Sequence, residues 1–193
     1  MSLFRRPLNA APGLTMPAAG SLANPPPMAQ AGCGGRCQVG VHVRWMIRRD
    51  MAEVLEIEKT VFEFPWSDED FIRCLRQRTC IGMVAEHDDL VVGFMVYELR
   101  PTYTHVLNFA VAKGWQRKGV GRQMIARLIA GLTATRRSFI RLEVRESNLA
   151  AQLFFRAQGF RAISVLEKFY DDTPEDAYLM QYRLQRDRDC SGK

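Results

Sequence analysis

The stretch VAKGWQRKGVGR, residues 111–122, joins an apolar segment of strand length to a segment whose apolar residues recur at helical spacing. Gly119 and Gly121 allow the backbone here to approach a ligand closely. The first amides of the following helix lack intrahelical acceptors, and together with the positive end of the helix dipole they favour an anion. Further positive charge comes from Arg117, Lys118 and Arg122. The stretch therefore predicts a pyrophosphate-binding turn between a strand and a helix.

Two other interpretations of this turn remain open on spacing alone. The glycines are equally consistent with ordinary turn punctuation, with the basic side chains in solvent. A nicotinamide-dinucleotide fold would use Glu143, about twenty residues further on, as its ribose-binding acid. That fold is disfavoured because Met124 occupies the third glycine position, the loop from Val111 to Gly119 is long and charged, and the chain lacks a second series of βαβ units.

The segments that flank the turn predict a mixed α/β domain over residues 41–186. Apolar runs predict strands at residues 41–47, 80–86, 90–99, 104–111, 139–144, 161–169 and 176–184. His87, Asp88 and Asp89 supply turn residues between the second and third of these, which predicts a hairpin. Helical periodicity predicts helices after Asp50, after Ser67, from Gly119, and from Ser147 or Asn148. Asp50 is expected to cap the first helix, and Ser67 and Asp70 are spaced as in a capping box. The order β-α-α-β-β-β-α-β-α-β-β predicts one sheet with helices on both faces.

The net charge of +6 lies almost entirely at the start of the chain. Of the 27 lysines and arginines, six are arginines within residues 1–49, which contain no acid. The remaining 21 basic residues balance the 21 acidic residues of the chain. A phosphate backbone needs positive charge clustered on the folded part, so the distribution argues against a nucleic-acid-binding protein.

Composition also predicts where the folded domain begins and ends and in which cellular compartment it works. Residues 1–40 are rich in Ala, Pro and Gly without periodicity, which predicts a disordered extension, and residues 187–193 are expected to form a flexible tail. The five cysteines are irregularly spaced, and they predict no disulfide framework, no structural zinc and a reducing, cytoplasmic setting. No apolar run is long enough to span a membrane.

Several motifs together resemble one family. QRKGVG, residues 116–121, resembles the Q/R-x-x-G-x-G/A signature of the GNAT superfamily of N-acetyltransferases. Further stretches resemble its ribosomal-protein-alanine N-acetyltransferase (RimI) type, namely FPWS (64–67), LNFAV (107–111), LEVRESN (142–148), QGF (158–160) and EDA (175–177). The similarity covers roughly residues 43–185, with the motifs in order and at matching spacing. It implies a GNAT fold, a mixed and mostly antiparallel sheet of about seven strands.

The resemblance also implies that acetyl-CoA is the co-substrate and that no metal is needed. The main chain of Phe109, Ala110 and Val111 would hold the pantetheine arm on a strand that splays from its neighbour. The pyrophosphate would bind the turn formed by Gln116, Arg117, Lys118, Gly119, Val120, Gly121 and Arg122. Asn148 would contact the cofactor from the next helix, and it is equally suited to be that helix's cap.

Glu143 is the candidate general base. Ile140, Leu142 and Val144 share one face of their strand, which places Glu143 with Arg141 on the other face. A protonated α-amine must lose a proton before it can attack a thioester, and the resemblance assigns that proton to this carboxylate. From the residues alone, a salt bridge from Glu143 to Arg141 or Arg145 is the simpler interpretation.

The sequence departs from the RimI type at Phe155. The family has a tyrosine at this position that protonates the leaving thiolate, and phenylalanine has no proton to give. Either the thiolate, a good leaving group, departs unassisted, or another group protonates it. Tyr170 is the candidate replacement or an acceptor contact, and His105 is a weaker candidate. Phe64 and Trp66 would form a wall of the acceptor groove, although an aromatic plug between two helices fits the same residues.

The resulting prediction is a protein N-terminal acetyltransferase that works by direct attack of the acceptor amine. The resemblance implies a protein N-terminus as partner, with the alanine of ribosomal protein S18 as a candidate and broader specificity equally open. It implies no partner nucleic acid and no membrane. The alternatives are a GNAT enzyme that acetylates a small amine or a lysine side chain, and a non-catalytic acetyl-CoA-binding module, which only Phe155 favours.

Overall fold

The computed structural model describes residues 38–134 and 137–184, which form a seven-stranded sheet with four α-helices. The strands are β1 (His42–Trp45), β2 (Cys80–His87), β3 (Leu90–Leu99), β4 (Tyr103–Val111), β5 (Phe139–Arg145), β6 (Arg161–Leu166) and β7 (Ala177–Arg183). The helices are α1 (Met51–Val61), α2 (Asp68–Leu75), α3 (Val120–Ala134) and α4 (Leu149–Ala157). The sheet order is β1-β2-β3-β4-β5-β7-β6, and only β4 and β5 pair in parallel. The predicted element order and fold class are confirmed.

Two local signals act as predicted. Ser67 accepts a hydrogen bond from the amide of Asp70, and Asp70 accepts one from the amide of Ser67, which completes the capping box of α2. Asp88 and Asp89 join β2 to β3 with φ angles of 47° and 63°. Two left-handed residues in a two-residue turn give the twist that an antiparallel pair requires.

The predicted cap of α1 by Asp50 is wrong. Asp50 occupies the N-cap position, but its side chain makes no capping hydrogen bond. Its carboxylate instead accepts two hydrogen bonds from the guanidinium of Arg44, at 2.7 and 2.9 Å, and one from the amide of Ile47. A bidentate pair with a charged guanidinium is stronger than a single hydrogen bond from a neutral backbone amide, so the side chain turns toward β1.

The helices cover both faces of the sheet because strand residues alternate between two cores. On β4, Val106 and Phe109 belong to the core beneath α3 and α4, whereas Leu107 and Ala110 belong to the core beneath α1 and α2. A regular strand alternates with a period of two, and an irregularity in the β3–β4 register at Leu107 shifts this alternation by one residue, so that residues three apart share a face. The sheet is therefore buried on both sides at its centre.

The sheet forks between β4 and β5, which pair only from Tyr103 to His105 and from Phe139 to Arg141. Past that point β4 stays paired with β3 as far as Val111, and β5 stays paired with β7 over its whole length. In the described part of the chain, the edge of β4 from residue 106 to 111 therefore has no strand beside it on the β5 side. The fork opens a cleft in the middle of the sheet.

Most of the predicted N-terminal extension and the whole predicted tail lie outside the described residues. None of the helices within residues 38–134 and 137–184 is long and apolar enough to cross a membrane. Over the same residues, the structure brings together no group of three or more His, Cys, Asp or Glu side chains suited to hold a metal ion.

Candidate active site

Glu143 lies at the vertex of the fork, two residues beyond the last β4–β5 pair. Its side chain is mostly buried, and its carboxylate oxygens lie 2.8 and 3.1 Å from Nε2 of His105 on β4. An imidazole that donates Nε2–H to a carboxylate fixes the direction of that carboxylate. The arrangement holds a proton acceptor at the point where the two strands separate.

The salt bridges that the sequence suggested for Glu143 do not form. Arg141 instead donates to the side-chain oxygen of Gln181 at 3.1 Å and stacks on aromatic rings of the same sheet. Arg145 is engaged with Asp172 and Glu175. Glu143 instead contacts His105, which the sequence suggested only as a weaker candidate for the group that protonates the leaving thiolate.

The glycine turn contains two residues in the left-handed backbone conformation. Arg117 and Gly119 adopt φ angles of 64° and 86°, in the left-handed region that favours glycine. A side chain on Gly121 would meet the rings of Phe154 and Phe109 at 3.2 and 3.3 Å. Gly121 therefore permits α3 to begin directly against the aromatic residues beside the cleft.

The charged side chains of the turn are directed to solvent. Gln116, Arg117, Lys118 and Arg122 are exposed, and the ammonium group of Lys118 lies 5.0 Å from the ring centre of Trp115. Gln116 donates to the carbonyl oxygen of Val111 at 3.0 Å, which ties the turn to the end of β4. The first amides of α3 and these basic groups together present positive potential at one end of the cleft.

Residues 38–41 run along the turn, a feature that sequence reasoning missed. The amide of Val39 donates to the carbonyl of Lys118 at 3.2 Å. Gln123 donates to the carbonyl of Val39 at 2.7 Å and accepts from the amide of Val41 at 3.2 Å. The C=O of Lys118 is directed toward this segment, so in a planar trans peptide the N–H of Gly119 is directed the opposite way.

Arg145 organises the loop between β6 and β7. It donates to both carboxylate oxygens of Asp172 at 2.7 and 2.6 Å and to Glu175 at 2.8 Å. Its guanidinium lies 3.7 Å from the ring centre of Tyr170 and 5.4 Å from that of Phe64. Since the arginine and Asp172 are both buried, this network fixes Tyr170 at the cleft.

Tyr170 is nearly fully buried. Burial raises the pKa of its hydroxyl well above the usual range, the nearby Arg145 lowers it, and Glu143 raises it further. A phenol with a raised pKa stays protonated near neutral pH, where it can still donate a hydrogen bond, and it gives up its proton less readily than an ordinary tyrosine. The raised pKa therefore makes Tyr170 a weaker candidate for the proton donor than for an acceptor contact.

The predicted aromatic wall divides in two. Phe64 lines a cavity of about 180 Å³ with Arg145 and Asn148, and it is directed at the β6–β7 loop. Trp66 packs edge-on against Phe71 of α2, with 5.2 Å between ring centres, and contacts both cores. Phe64 thus lies at the cleft, whereas Trp66 is largely a packing residue.

Phe155 and Asn148 occupy well-defined positions on α4. Phe155 is buried in an aromatic cluster, 6.1 Å from Phe109 and 5.3 Å from Phe160 between ring centres. Asn148 caps α4, where it accepts from the amide of Ala151 at 3.0 Å. Asn148 therefore serves as the helix cap and also lines the cavity beside Phe64.

Glu58 on α1 is a buried carboxylate that sequence reasoning overlooked. It is fully buried and accepts hydrogen bonds from the amide of Trp66 and from the side chain of Asn108. Burial raises its pKa to about 7, although both hydrogen bonds lower it. Its position four residues after Val54, within the apolar stripe of α1, was the available signal.

The raised pKa of Glu58 predicts a pH-dependent stability. The native state binds this proton more tightly than the unfolded chain, so the stabilisation is full below the ordinary glutamate pKa and is lost as pH rises through about 7. Between about pH 5 and about pH 8 we expect the Tm of wild type to fall relative to that of Glu58→Gln, which does not ionise. Thermal unfolding over a pH series measures this. Glu56→Gln, at an exposed position of α1, is the control, and an equal pH profile for wild type and Glu58→Gln would contradict the prediction.

Known proteins are similar in sequence to this chain over most of the described residues. Residues 51–160 match the model of the acetyltransferase (GNAT) family. The [ribosomal protein bS18]-alanine N-acetyltransferase of Salmonella typhimurium is 29% identical over 133 residues, which cover 68% of this chain and 89% of that protein. An N-alpha-acetyltransferase of Sulfurisphaera tokodaii is 29% identical over 147 residues, which cover 68% of this chain and 86% of that protein.

Solved structures share the fold. The crystal structure of Arabidopsis thaliana NAA60 in complex with acetyl-CoA superimposes with a TM-score of 0.66 at 16% identity. The match covers 75% of this chain and 99% of that chain. At this identity the similarity is evidence for the architecture of the sheet and its helices.

Proposed function

The chain belongs to the acetyltransferase (GNAT) family, and on that premise we propose that it transfers the acetyl group of acetyl-CoA to the N-terminal α-amine of a protein. The observation that carries the proposal is the position of Glu143, which lies at the vertex of the fork, between the glycine turn and the loop that bears Tyr170. A carboxylate so placed meets an amine that enters from the β6–β7 side. Relatives that act on protein N-termini support this choice of acceptor.

Three features of the cleft fit acetyl-CoA. The main chain of Phe109, Ala110 and Val111 lies on the unpaired edge of β4, where it is available to the pantetheine amides. The turn from Gln116 to Arg122 offers amides and three exposed basic side chains to the pyrophosphate. Asn148 lies on the opposite wall, at the start of α4. When bound there, the co-substrate supplies an activated acetyl thioester.

The chain's own residues supply proton transfer and orientation. Glu143 accepts a proton from the α-ammonium group, directly or through one water, and His105 holds the carboxylate in place. The freed amine attacks the thioester carbonyl, so that the N–C bond forms and the C–S bond breaks, and the nitrogen loses its second proton to solvent. Tyr170 and Phe64 would hold the acceptor's first residue against the cleft. No enzyme nucleophile is needed, because two bound reactants gain their rate from proximity.

The leaving thiolate has no tyrosine at position 155 to protonate it. Phe155 is buried in an aromatic cluster, and burial raises the pKa of the Tyr170 hydroxyl, which makes it a weaker acid than an ordinary tyrosine. A thiolate is a good leaving group near neutral pH, with an ordinary pKa of about 8.5. We propose that it departs without a protein acid and takes its proton from solvent.

The S. typhimurium relative points to the N-terminal alanine of ribosomal protein S18 as the first acceptor to test. Thiol release from acetyl-CoA is measured with a peptide of that N-terminus, free or blocked at its α-amine. Turnover that requires the free amine supports the proposal. Turnover on the blocked peptide would identify a side-chain acetyltransferase, and tight acetyl-CoA binding without turnover on any amine would identify a binding module.

The glycine turn predicts a selective loss of acetyl-CoA affinity. Gly119→Ala places a side chain at φ 86° and 3.3 Å from Gln38, which shifts the amide that follows the Lys118 carbonyl. We expect KM for acetyl-CoA to rise about tenfold, as for the loss of one or two charge-assisted hydrogen bonds, with kcat little changed. Steady-state kinetics at varied acetyl-CoA measure this. Gly131→Ala, within α3 and with nothing within 4 Å of the added carbon, is the matched control, and equal KM values for the two variants would contradict the prediction.

A further inference from the structure

Glu58 is a buried charged group that the proposed reaction does not use. It lies on the buried face of α1 with Val54 and Ile57, both in the core beneath that helix. A buried carboxylate is costly, and an apolar residue of similar volume fills the same space without that cost. Packing alone therefore does not account for a carboxylate at this position.

The carboxylate joins β4 to the acceptor loop, by which we mean residues 62–67, the segment between α1 and α2 that carries Phe64 and Trp66. The backbone amide of Trp66 donates to Oε1 of Glu58 at 2.7 Å. Nδ2 of Asn108, on β4, donates to both carboxylate oxygens at 3.1 Å. One buried side chain on α1 thus holds the acceptor loop and the strand that would bind acetyl-CoA.

Asn108 lies at an irregularity of β4 that directly precedes the proposed pantetheine contacts. Val96 pairs with Asn108 but Tyr97 pairs with Val106, so Leu107 is an extra residue in β4. A bulge bends its strand and redirects the residues that follow. The position of Asn108 therefore sets the direction of Phe109 and the residues after it.

We infer that Glu58 is a positioning residue, which sets the distance between the acceptor loop and the acetyl thioester by holding Trp66 and Asn108 together. The inference rests on the proposed function, because that function places the acceptor at the loop and acetyl-CoA on β4. Loss of the carboxylate leaves each segment folded but no longer fixes one relative to the other. Because small misplacements of reacting groups lower the rate strongly, we expect loss of the carboxylate to lower kcat/KM for the acceptor.

Two substitutions in the full chain separate positioning from packing. Glu58→Met keeps the volume and removes both acceptors. Glu58→Gln keeps one oxygen for the Trp66 amide, and its amide group reaches Oδ1 of Asn108 after that side chain flips. This Oδ1 is buried and has no hydrogen-bond partner within the residues that the structure describes. We expect Glu58→Met to lower kcat/KM for the peptide about tenfold or more, with KM for acetyl-CoA unchanged, and Glu58→Gln to recover most of the activity.

Amide hydrogen exchange at Trp66 gives a readout that needs no turnover. We expect Glu58→Met to speed exchange there about tenfold or more, and Glu58→Gln to retain protection. If wild type acetylates no peptide, the proposed function fails and exchange alone decides the positioning role. Unchanged exchange and unchanged peptide kcat/KM in Glu58→Met would overturn the inference. If Glu58→Met does not fold, Asn108→Ala takes its place. In that variant we expect kcat/KM for the peptide to fall while the amide of Trp66 stays protected. Wild-type kinetics in Asn108→Ala would equally overturn the inference.

Discussion

Glu143→Gln is expected to lower kcat/KM for a peptide acceptor by about 10²–10⁴-fold, the range that a general base contributes. Glutamine keeps an oxygen that can accept from Nε2 of His105, which lies 2.8 Å from the present carboxylate, so the fold and the cleft are preserved. Affinity for acetyl-CoA should not change. The defect should shrink at about pH 9, because a free α-amine with an ordinary pKa near 8 then needs no base.

Stopped assays of thiol release at several pH values, with acetyl-CoA binding by calorimetry, measure both effects. Glu146→Gln is the matched control, since Glu146 is exposed and only three residues further along the chain. Wild-type rates for Glu143→Gln at neutral pH would remove Glu143 from the role of base. A loss that is equally deep at high pH would assign Glu143 to acceptor binding.

Arg145→Ala is expected to destabilise the protein by about 3 kcal/mol or more, because it strands buried carboxylates without their cation. Asp172 is only 6% exposed and receives two hydrogen bonds from this guanidinium. For a chain of this size each kcal/mol lowers Tm by about 2–4 °C, which gives a shift of roughly 10 °C. Release of the β6–β7 loop should also raise KM for the peptide through loss of the Tyr170 contact.

Arg141→Ala supplies the comparison on the same strand. Arg141 donates to the neutral amide of Gln181 and stacks on the rings of Tyr103 and Phe139, so its removal strands no carboxylate in these contacts. Its cost should be about 1 kcal/mol. Differential scanning calorimetry measures the Tm of both variants, and we expect the lower value for Arg145→Ala. Equal Tm values would show that the Arg145 network does not anchor the β6–β7 loop.

The sequence was sufficient to predict those features of the structure that depend on residues adjacent in the chain. The glycine turn, the capping box at Ser67 and the aspartate turn between β2 and β3 each depend on a few adjacent residues. The candidate base followed from strand alternation and the resemblance, which together placed Glu143 on the face opposite Leu142. The order of elements likewise led to the observed sheet with helices on both faces.

The interactions that sequence reasoning missed join residues that are far apart in the chain. His105 and Glu143 meet because α3 returns the chain to a parallel neighbour strand, a crossover that the β-α-β order contains but whose register it does not specify. Gln123 binds residues 39 and 41 across more than eighty positions. Asp50 turned to Arg44 instead of its own helix because a charged partner outweighs a local cap.

The most direct test of the central claim is to locate the acetyl group on the product. A peptide with a free N-terminal alanine and an internal lysine is incubated with the protein and acetyl-CoA, and tandem mass spectrometry maps the modification. The proposed function predicts acetylation of the α-amine in wild type, with little product in Glu143→Gln. Acetylation of the lysine with a free α-amine, or no acetylated peptide from a protein that binds acetyl-CoA, would contradict it.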